Sequence, residues 1–290
     1  MNILPKHLDT LVIYCPTWVG DIVMATPLLD CFREHFPDTK IVGLLKKSAQ
    51  GIVRDGPWFD EFIDGSKSWG GFANTVRQVR RHKPDVAVLL PNSLRSALTM
   101  RLGGAKKVFG YRHNLRGAFL SGGPEPVRSN LQIVPVPMTQ YYLDICRWLG
   151  MDVPQSAKPR LYINENLLER GQSLIRKYGI QEQDLVIGLN PGASFGASKC
   201  WPAEHFAELA ELCQRRLSAK ILLFSGPGEG AIAEALVTQS SATIIDTRRD
   251  NVDLELLKPL VQRCNLLVTN DTGPRHYAVA FDVPTVVIMG

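Results

Sequence analysis

Two loops in the second half of the chain carry residues able to hold a phosphate or a diphosphate. The run Asn270-Asp271-Thr272-Gly273-Pro274-Arg275-His276 follows the apolar Leu266-Leu267-Val268 and precedes Tyr277-Ala278-Val279-Ala280-Phe281. That order predicts a buried strand, a turn and a helix. Thr272 suits the N-cap and Pro274 the first helical turn, where a missing N–H is not needed. Gly273 removes a side chain where a ligand would approach. Helix N-termini carry amides without intrahelical partners and the positive end of the dipole, so they attract anions. Arg275 and His276 add polar or positive groups alongside. Asp271 could accept hydrogen bonds from hydroxyls of a ligand or order the turn. An ordinary capped helix would read the same way, and a histidine early in a helix is often structural.

The second loop, Asn190 to Pro202, also follows an apolar run, Leu185-Val186-Ile187-Gly188-Leu189. Gly192, Gly196 and the small residues between them can wrap backbone around an anion and bring Lys199 against it. The spacing is not that of a Walker loop. A third loop, Ser225-Gly226-Pro227-Gly228-Glu229-Gly230, follows Ile221–Phe224, but its glycines do not complete a dinucleotide fingerprint.

The elements that position these loops alternate. Strands are expected at 10–14, 41–45, 86–90 and 107–110, then at 185–189, 220–224, 243–246, 266–269 and 284–289. Helices are expected at 26–35, 71–82, 94–102 and 138–149, then at 165–178, 203–216, 229–238 and 253–262. Thr26-Pro27 reads as an N-cap and first-turn proline. Residues 117–137, rich in glycine and proline, read as a long loop, and 151–159 as a linker. Such alternation predicts α/β domains, each a parallel sheet with helices on both faces, and the boundary falls near Asn164. Ligands of these sheets lie beyond the carboxyl ends of the strands, where the loops above are placed.

Asn190 to Pro202, with His205-Phe206-Ala207-Glu208-Leu209-Ala210, resembles the lysine-containing block of the lipopolysaccharide heptosyltransferases, glycosyltransferase family 9. Asn270 to His276 resembles the donor motif of that family, and Trp18-Val19-Gly20-Asp21 through Pro27-Leu28-Leu29 resembles its amino-terminal motif. The matches occur in the family's order, and the lysine block leans toward the heptosyltransferase II branch. Ser194 and Cys200 depart from the Glu and Arg usual there. The resemblance implies a GT-B fold, two doubly wound domains facing across a cleft. Residues 1–164 would bind the acceptor and 165–290 the nucleotide-sugar donor. It implies inverting transfer of heptose from ADP-heptose to the inner core of lipopolysaccharide, with no cofactor. Asp21 would be the base, although an Asp in this position also reads as a cap or turn residue. Lys199 would stabilise the leaving diphosphate. Ser194, Lys199, Gly226, Asp271, Thr272, Gly273 and His276 would line the donor site, and Arg112 and Arg116 the acceptor site. Family members continue past a strand like Val286–Met289 into a loop and helices, so the donor domain reads as shortened.

Composition agrees with this frame. A chain that is 45% hydrophobic and 21% charged has enough apolar surface for packed domains rather than disorder. No apolar run reaches the length of a membrane span, and Met1–Thr10 lacks a signal-peptide core. A cytoplasmic enzyme is expected, with peripheral contact at the inner membrane. The cysteines, Cys15, Cys31, Cys146, Cys200, Cys213 and Cys264, form no paired motif and read as reduced thiols. No His-Glu-x-x-His or Asp-x-Asp occurs, which predicts metal-free transfer. The net charge of +5 owes much to Arg95, Arg101, Lys106, Lys107, Arg112 and Arg116, a short span that also holds His113. Nucleic acid, anionic lipid, a phosphorylated glycolipid and plain solvation all fit such a cluster. The family resemblance selects the glycolipid and excludes nucleic acid. A nucleotide-sugar epimerase and a non-catalytic nucleotide- or glycolipid-binding protein are the alternatives.

Overall fold

The computed structural model describes residues 3–5, 7–65, 71–113, 115–130, 132–155, 157–192 and 200–289. The chain divides into two units, Met1–Arg160 and Leu161–Gly290, so the division precedes the expected boundary at Asn164. Asn164 instead caps the first helix of the second unit, its Oδ1 accepting from Leu167 N at 2.8 Å.

The first unit runs β1 (Thr10–Tyr14), α1 (Val19–Met24), α2 (Thr26–His35), β2 (Lys40–Leu45), α3 (Gln50–Val53), β3 (Glu61–Asp64), α4 (Gly71–His82), β4 (Val86–Leu89), α5 (Leu94–Leu102) and β5 (Lys107–Gly110). A small antiparallel hairpin, β6 (Arg128–Ser129) and β7 (Gln132–Ile133), and then α6 (Met138–Trp148) complete it. The main sheet is parallel, in the order β3-β2-β1-β4-β5. β4 is buried along its whole length, as a central strand covered on both faces must be. Val12, Val42, Leu44, Leu89 and Met100 join one apolar cluster.

The second unit repeats the plan with α7 (Glu165–Lys177), β8 (Val186–Asn190), α8 (Ala203–Leu217), β9 (Lys220–Leu223), α9 (Gly230–Gln239), β10 (Ile244–Asp246), α10 (Leu257–Arg263), β11 (Leu266–Asn270), α11 (Pro274–Ala280) and β12 (Thr285–Ile288). Its parallel order is β10-β9-β8-β11-β12. Leu189, Phe206, Ile221, Leu223 and Val268 form its core. In each sheet the strand order reverses beside the first strand, between β1 and β4 and between β8 and β11. That reversal splays the flanking loops apart and opens a crevice at the carboxyl edge.

The α/β alternation expected from the sequence is present, with three corrections. Thr26 is not an N-cap. α1 runs into α2 with only helical Ala25 between them, so no extended cap position exists. The Thr26 hydroxyl instead donates to Val23 O and accepts from Arg160 N. The expected loop at 117–137 contains a 3-10 turn ending at Phe119 and the β6–β7 hairpin. The helix expected from 253 begins only at Leu257, because Asp253 Oδ1 accepts from Glu255 N and Leu256 N and holds that stretch as a turn.

Candidate functional site

At the switch point of the second sheet, β8 ends on Asn190 and β11 on Asn270, and both are buried. Asn190 Nδ2 donates to Thr269 Oγ1 at 2.9 Å and to Thr272 Oγ1 at 2.8 Å. The Thr272 hydroxyl is therefore spent on β8 and does not cap α11 as expected from the sequence. Gly273 occupies the cap position in a helical conformation, and no described side chain caps the helix. Pro274 has no N–H and His276 N donates to Gly273 O at 3.0 Å, so only the amides of Gly273 and Arg275 are left in this turn to meet solvent or an anion.

Asn270 ties the lysine-bearing loop to this point. Its Nδ2 donates to Pro191 O at 2.6 Å, and its Oδ1 accepts from Trp201 N at 3.2 Å. One side-chain amide thereby pins both ends of the segment that carries Ser194 and Lys199. Those two residues lie outside the described residues. Trp201 is seated edge-on against Phe206, with centroids 5.0 Å apart. Asn270→Ala is expected to leave one buried and one part-buried backbone group without this partner, a loss of about 1–3 kcal/mol. Urea unfolding measures the loss, and nucleotide titration should show weaker binding from the same variant. An unchanged midpoint would mean that water or a neighbour replaces the amide.

Asp271 and Arg275 form an i,i+4 ion pair at 2.8 Å. Arg275 Nε also donates to His276 Nε2 at 3.2 Å. The expected positive group beside the helix start is therefore paired with Asp271 within its own turn. Burial, then the Arg275 charge, pulls the His276 pKa down to about 4. The ring is neutral at ordinary pH. With Nε2 accepting, the proton sits on Nδ1, which becomes a donor for a ligand oxygen.

Sequence reasoning singled out Gly226 but missed Glu229. Glu229 Oε2 accepts from Gly226 N at 2.6 Å, and a Cβ at Gly192 would lie 2.0 Å from the same carboxylate. Glu229 thus bridges the loops after β8 and β9, and a side chain at Gly192 would displace its carboxylate. Arg248 Nη1 donates to Gly230 O at 2.9 Å while its guanidinium is clamped by Asp246, which fixes the start of α9. A carboxylate held between these loops can accept from vicinal hydroxyls. Nearby in sequence, Ser225 Oγ is buried with no partner among the described residues. The only sequence signal for either residue was the glycine spacing around them.

In the first unit, Asp21 sits in the first turn of α1, which follows β1 at the sheet's carboxyl edge. The sequence placed it at a strand-to-loop exit; the structure puts it one step further, on a short helix. Burial raises its pKa above the ordinary carboxylate range. Tyr142 of α6, itself shifted upward by burial and then by the Asp21 charge, lies close by.

Arg116 requires a correction. It is fully buried rather than presented to an acceptor. Nε donates to Tyr111 O, Nη1 to Pro91 O and Ser96 Oγ, and Nη2 to Asn92 Oδ1 at 3.0 Å. Asn92 Nδ2 then donates to Tyr141 OH at 2.7 Å, and Tyr141 stacks on Tyr111 with centroids 3.8 Å apart. Burial lowers the Arg116 pKa to about 10, still cationic near neutrality. Arg116 is a strut that fixes the loops after β4 and β5. Arg112 is exposed, with Glu125 at 3.7 Å. Among the described residues no cluster of His, Cys, Asp and Glu could hold a metal, and no helix is long and apolar enough to cross a membrane.

Comparison with known proteins connects these features. Residues 72–290 match the model of glycosyltransferase family 9 (heptosyltransferase). The chain is 26% identical to lipooligosaccharide heptosyltransferase 2 of Haemophilus ducreyi, covering 94% of this chain and 80% of that protein. It superposes on a family 9 glycosyl transferase from Veillonella parvula with a TM-score of 0.87 at 25% identity, covering 99% of this chain and 82% of the other. The match to Escherichia coli ADP-heptose LPS heptosyltransferase II has a TM-score of 0.78 at 25% identity, covering 97% and 85%. These are GT-B enzymes, and the paired parallel sheets described above are that fold. The motifs, the topology and the family match converge: the chain belongs to glycosyltransferase family 9, the heptosyltransferases.

Proposed function

We propose that this enzyme transfers heptose from ADP-heptose to the anionic inner core of lipopolysaccharide, with inversion and without a metal. The observation that carries the reading is the junction at Asn190 and Asn270, where both donor motifs meet at the switch point of one sheet. The second unit binds the nucleotide sugar and the first binds the acceptor. The α11 amino terminus and Lys199 face the diphosphate, His276 Nδ1 donates to one of its oxygens, and Glu229 accepts from the ribose hydroxyls. Asp271, with Arg275, orders the turn, and Gly226 and Gly273 allow close approach. Arg112 meets carboxylate or phosphate groups of the acceptor.

Chemistry follows from these roles. Asp21 takes the proton from an acceptor hydroxyl as its oxygen attacks the anomeric carbon from the face opposite ADP. The bond from that carbon to the diphosphate breaks, and ADP leaves with the electron pair. Fixed cations and amides stabilise the charge that develops on it. A single displacement inverts the anomeric centre.

ADP release from ADP-heptose, with and without truncated lipopolysaccharides, tests the reading. Acceptor-dependent release is expected, and EDTA should leave the rate nearly unchanged. Loss with EDTA and recovery with magnesium would overturn metal independence. Nucleotide-sugar turnover without acceptor would favour an epimerase, and binding without turnover a non-catalytic protein.

A further inference from the structure

The amino-terminal motif supplies Asp21 and leaves Trp18 unassigned. β1 ends at Tyr14, and the chain passes through buried Cys15 and Pro16, with Cys15 N donating to Leu44 O at 2.9 Å. Trp18 is then the N-cap residue of α1, extended at φ −87° and ψ 140°. Its carbonyl accepts from Ile22 N at 3.0 Å. The indole has no acceptor and makes no cap hydrogen bond, at a position that favours Ser, Thr, Asp or Asn. Thr17, which has that chemistry, stands one residue too early. Trp18 is also 51% exposed, whereas Trp58 is buried and Trp148 and Trp201 are half-buried. Among the described tryptophans, Trp18 alone is presented to solvent. Neither the helix start nor the core accounts for a tryptophan here, and a residue that breaks two local rules at once marks a functional position.

Position indicates the ligand. Asp21 is the third residue of α1. The N-cap and third-residue side chains share one side of a first turn, as the reciprocal bonds of a capping box require. That spacing sets the indole beside the carboxylate, at the carboxyl edge where β1 and β4 part. A flat ring on a fixed backbone offers its face to the C–H bonds on one side of a pyranose. The hydroxyls at the sugar's edge then remain available to the carboxylate. Tryptophan has only two side-chain torsions, so ordering it costs little entropy. We propose that Trp18 is the platform on which the acceptor sugar stacks, and that it sets which hydroxyl reaches Asp21. The platform rests on the reading of the first unit as the acceptor unit and of Asp21 as the base.

The test is steady-state ADP release by the full chain, with truncated lipopolysaccharide and ADP-heptose varied in turn. Trp18→Ala should raise KM for the acceptor about tenfold or more and leave KM for ADP-heptose unchanged. Trp18→Phe keeps a ring and should recover most of the loss. Trp18→Leu keeps apolar bulk without a π face and should not. Trp18→Ser separates binding from structure, because it installs a favoured cap. Its thermal midpoint should equal or exceed that of the parent, while its acceptor KM rises as in the alanine variant. Three results would overturn the proposal: an alanine variant with acceptor KM within about threefold of the parent, a leucine variant as good as phenylalanine, which marks a lipid contact, or a serine variant with a lowered midpoint, which marks a structural residue. A parent chain without acceptor-dependent release overturns the functional reading and the platform with it. A parent that turns over beside silent Trp18 variants overturns the platform alone.

Discussion

Asp21→Asn is expected to lower turnover by about 10²–10⁴-fold while leaving ADP-heptose affinity intact, because Asn keeps the shape of the carboxylate but cannot take a proton. The pH profile separates this outcome from a structural role. Burial raises the Asp21 pKa. The acidic limb of kcat/KM should therefore lie above the ordinary carboxylate range, with the rate falling as pH drops through it, and the variant should lose that limb. Stability gives a second test. A raised folded pKa means that the fold disfavours the ionised form. Ionised Asp21 therefore costs stability at neutral pH, and the cost disappears as pH falls through the folded value. Asn carries no such cost, so the variant should be at least as stable as the parent at pH 7. A carboxylate serving only the α1 dipole predicts the reverse, a lowered pKa and a stability loss on neutralisation. Turnover within about threefold of the parent, far short of a base's contribution, would return Asp21 to a structural role.

Lys199→Ala is expected to lower turnover by about 10²–10³-fold, the usual effect of removing one preorganised donor from a developing negative charge. Lys199 precedes Trp201 by two positions, and Trp201 N is fixed to Asn270 Oδ1 beside the α11 amino terminus. Lys199→Arg should recover part of the loss, since charge returns with a different geometry. Steady-state kinetics with ADP-heptose decide the matter. Equal kcat and KM in the alanine variant would remove Lys199 from the site. A nucleotide bound to the first unit in a co-structure would overturn the assignment of donor and acceptor units.

The legible parts of the fold were those written in continuous apolar runs. Leu11–Ile13 and Val86–Leu89 can only be buried strands, and α2, α4 and α5 begin and end where their patterns do. β3, Glu61–Asp64, escaped notice because a short edge strand carries charge and little periodicity. α1 is six residues with a glycine inside, too short for a helical period. Thr26 and Thr272 misled for a shared reason: each has cap chemistry but spends its hydroxyl on a distant partner. Arg116 shows the limit of charge counting, since a cation in a basic run reads identically whether it is exposed or buried under carbonyl groups. Glu229 and the two hydrogen bonds of the Asn270 amide depend on which loops the topology brings together, and local sequence does not encode that.

The strand order of the second unit also sets a timetable. Asn190 and Thr269 are paired neighbours but lie 79 residues apart, so a ribosome must deliver almost the whole unit before β11 can dock on β8. β8, β9 and β10 follow one another and can associate first, whereas the crevice between β8 and β11 exists only after that late closure. A partly synthesised or partly folded second unit has no junction of Asn190 with Thr272 and no pinned lysine loop. On the proposed reading, in which this unit takes the nucleotide sugar, capture of the donor waits for that closure, and bound nucleotide would slow unfolding rather than template folding.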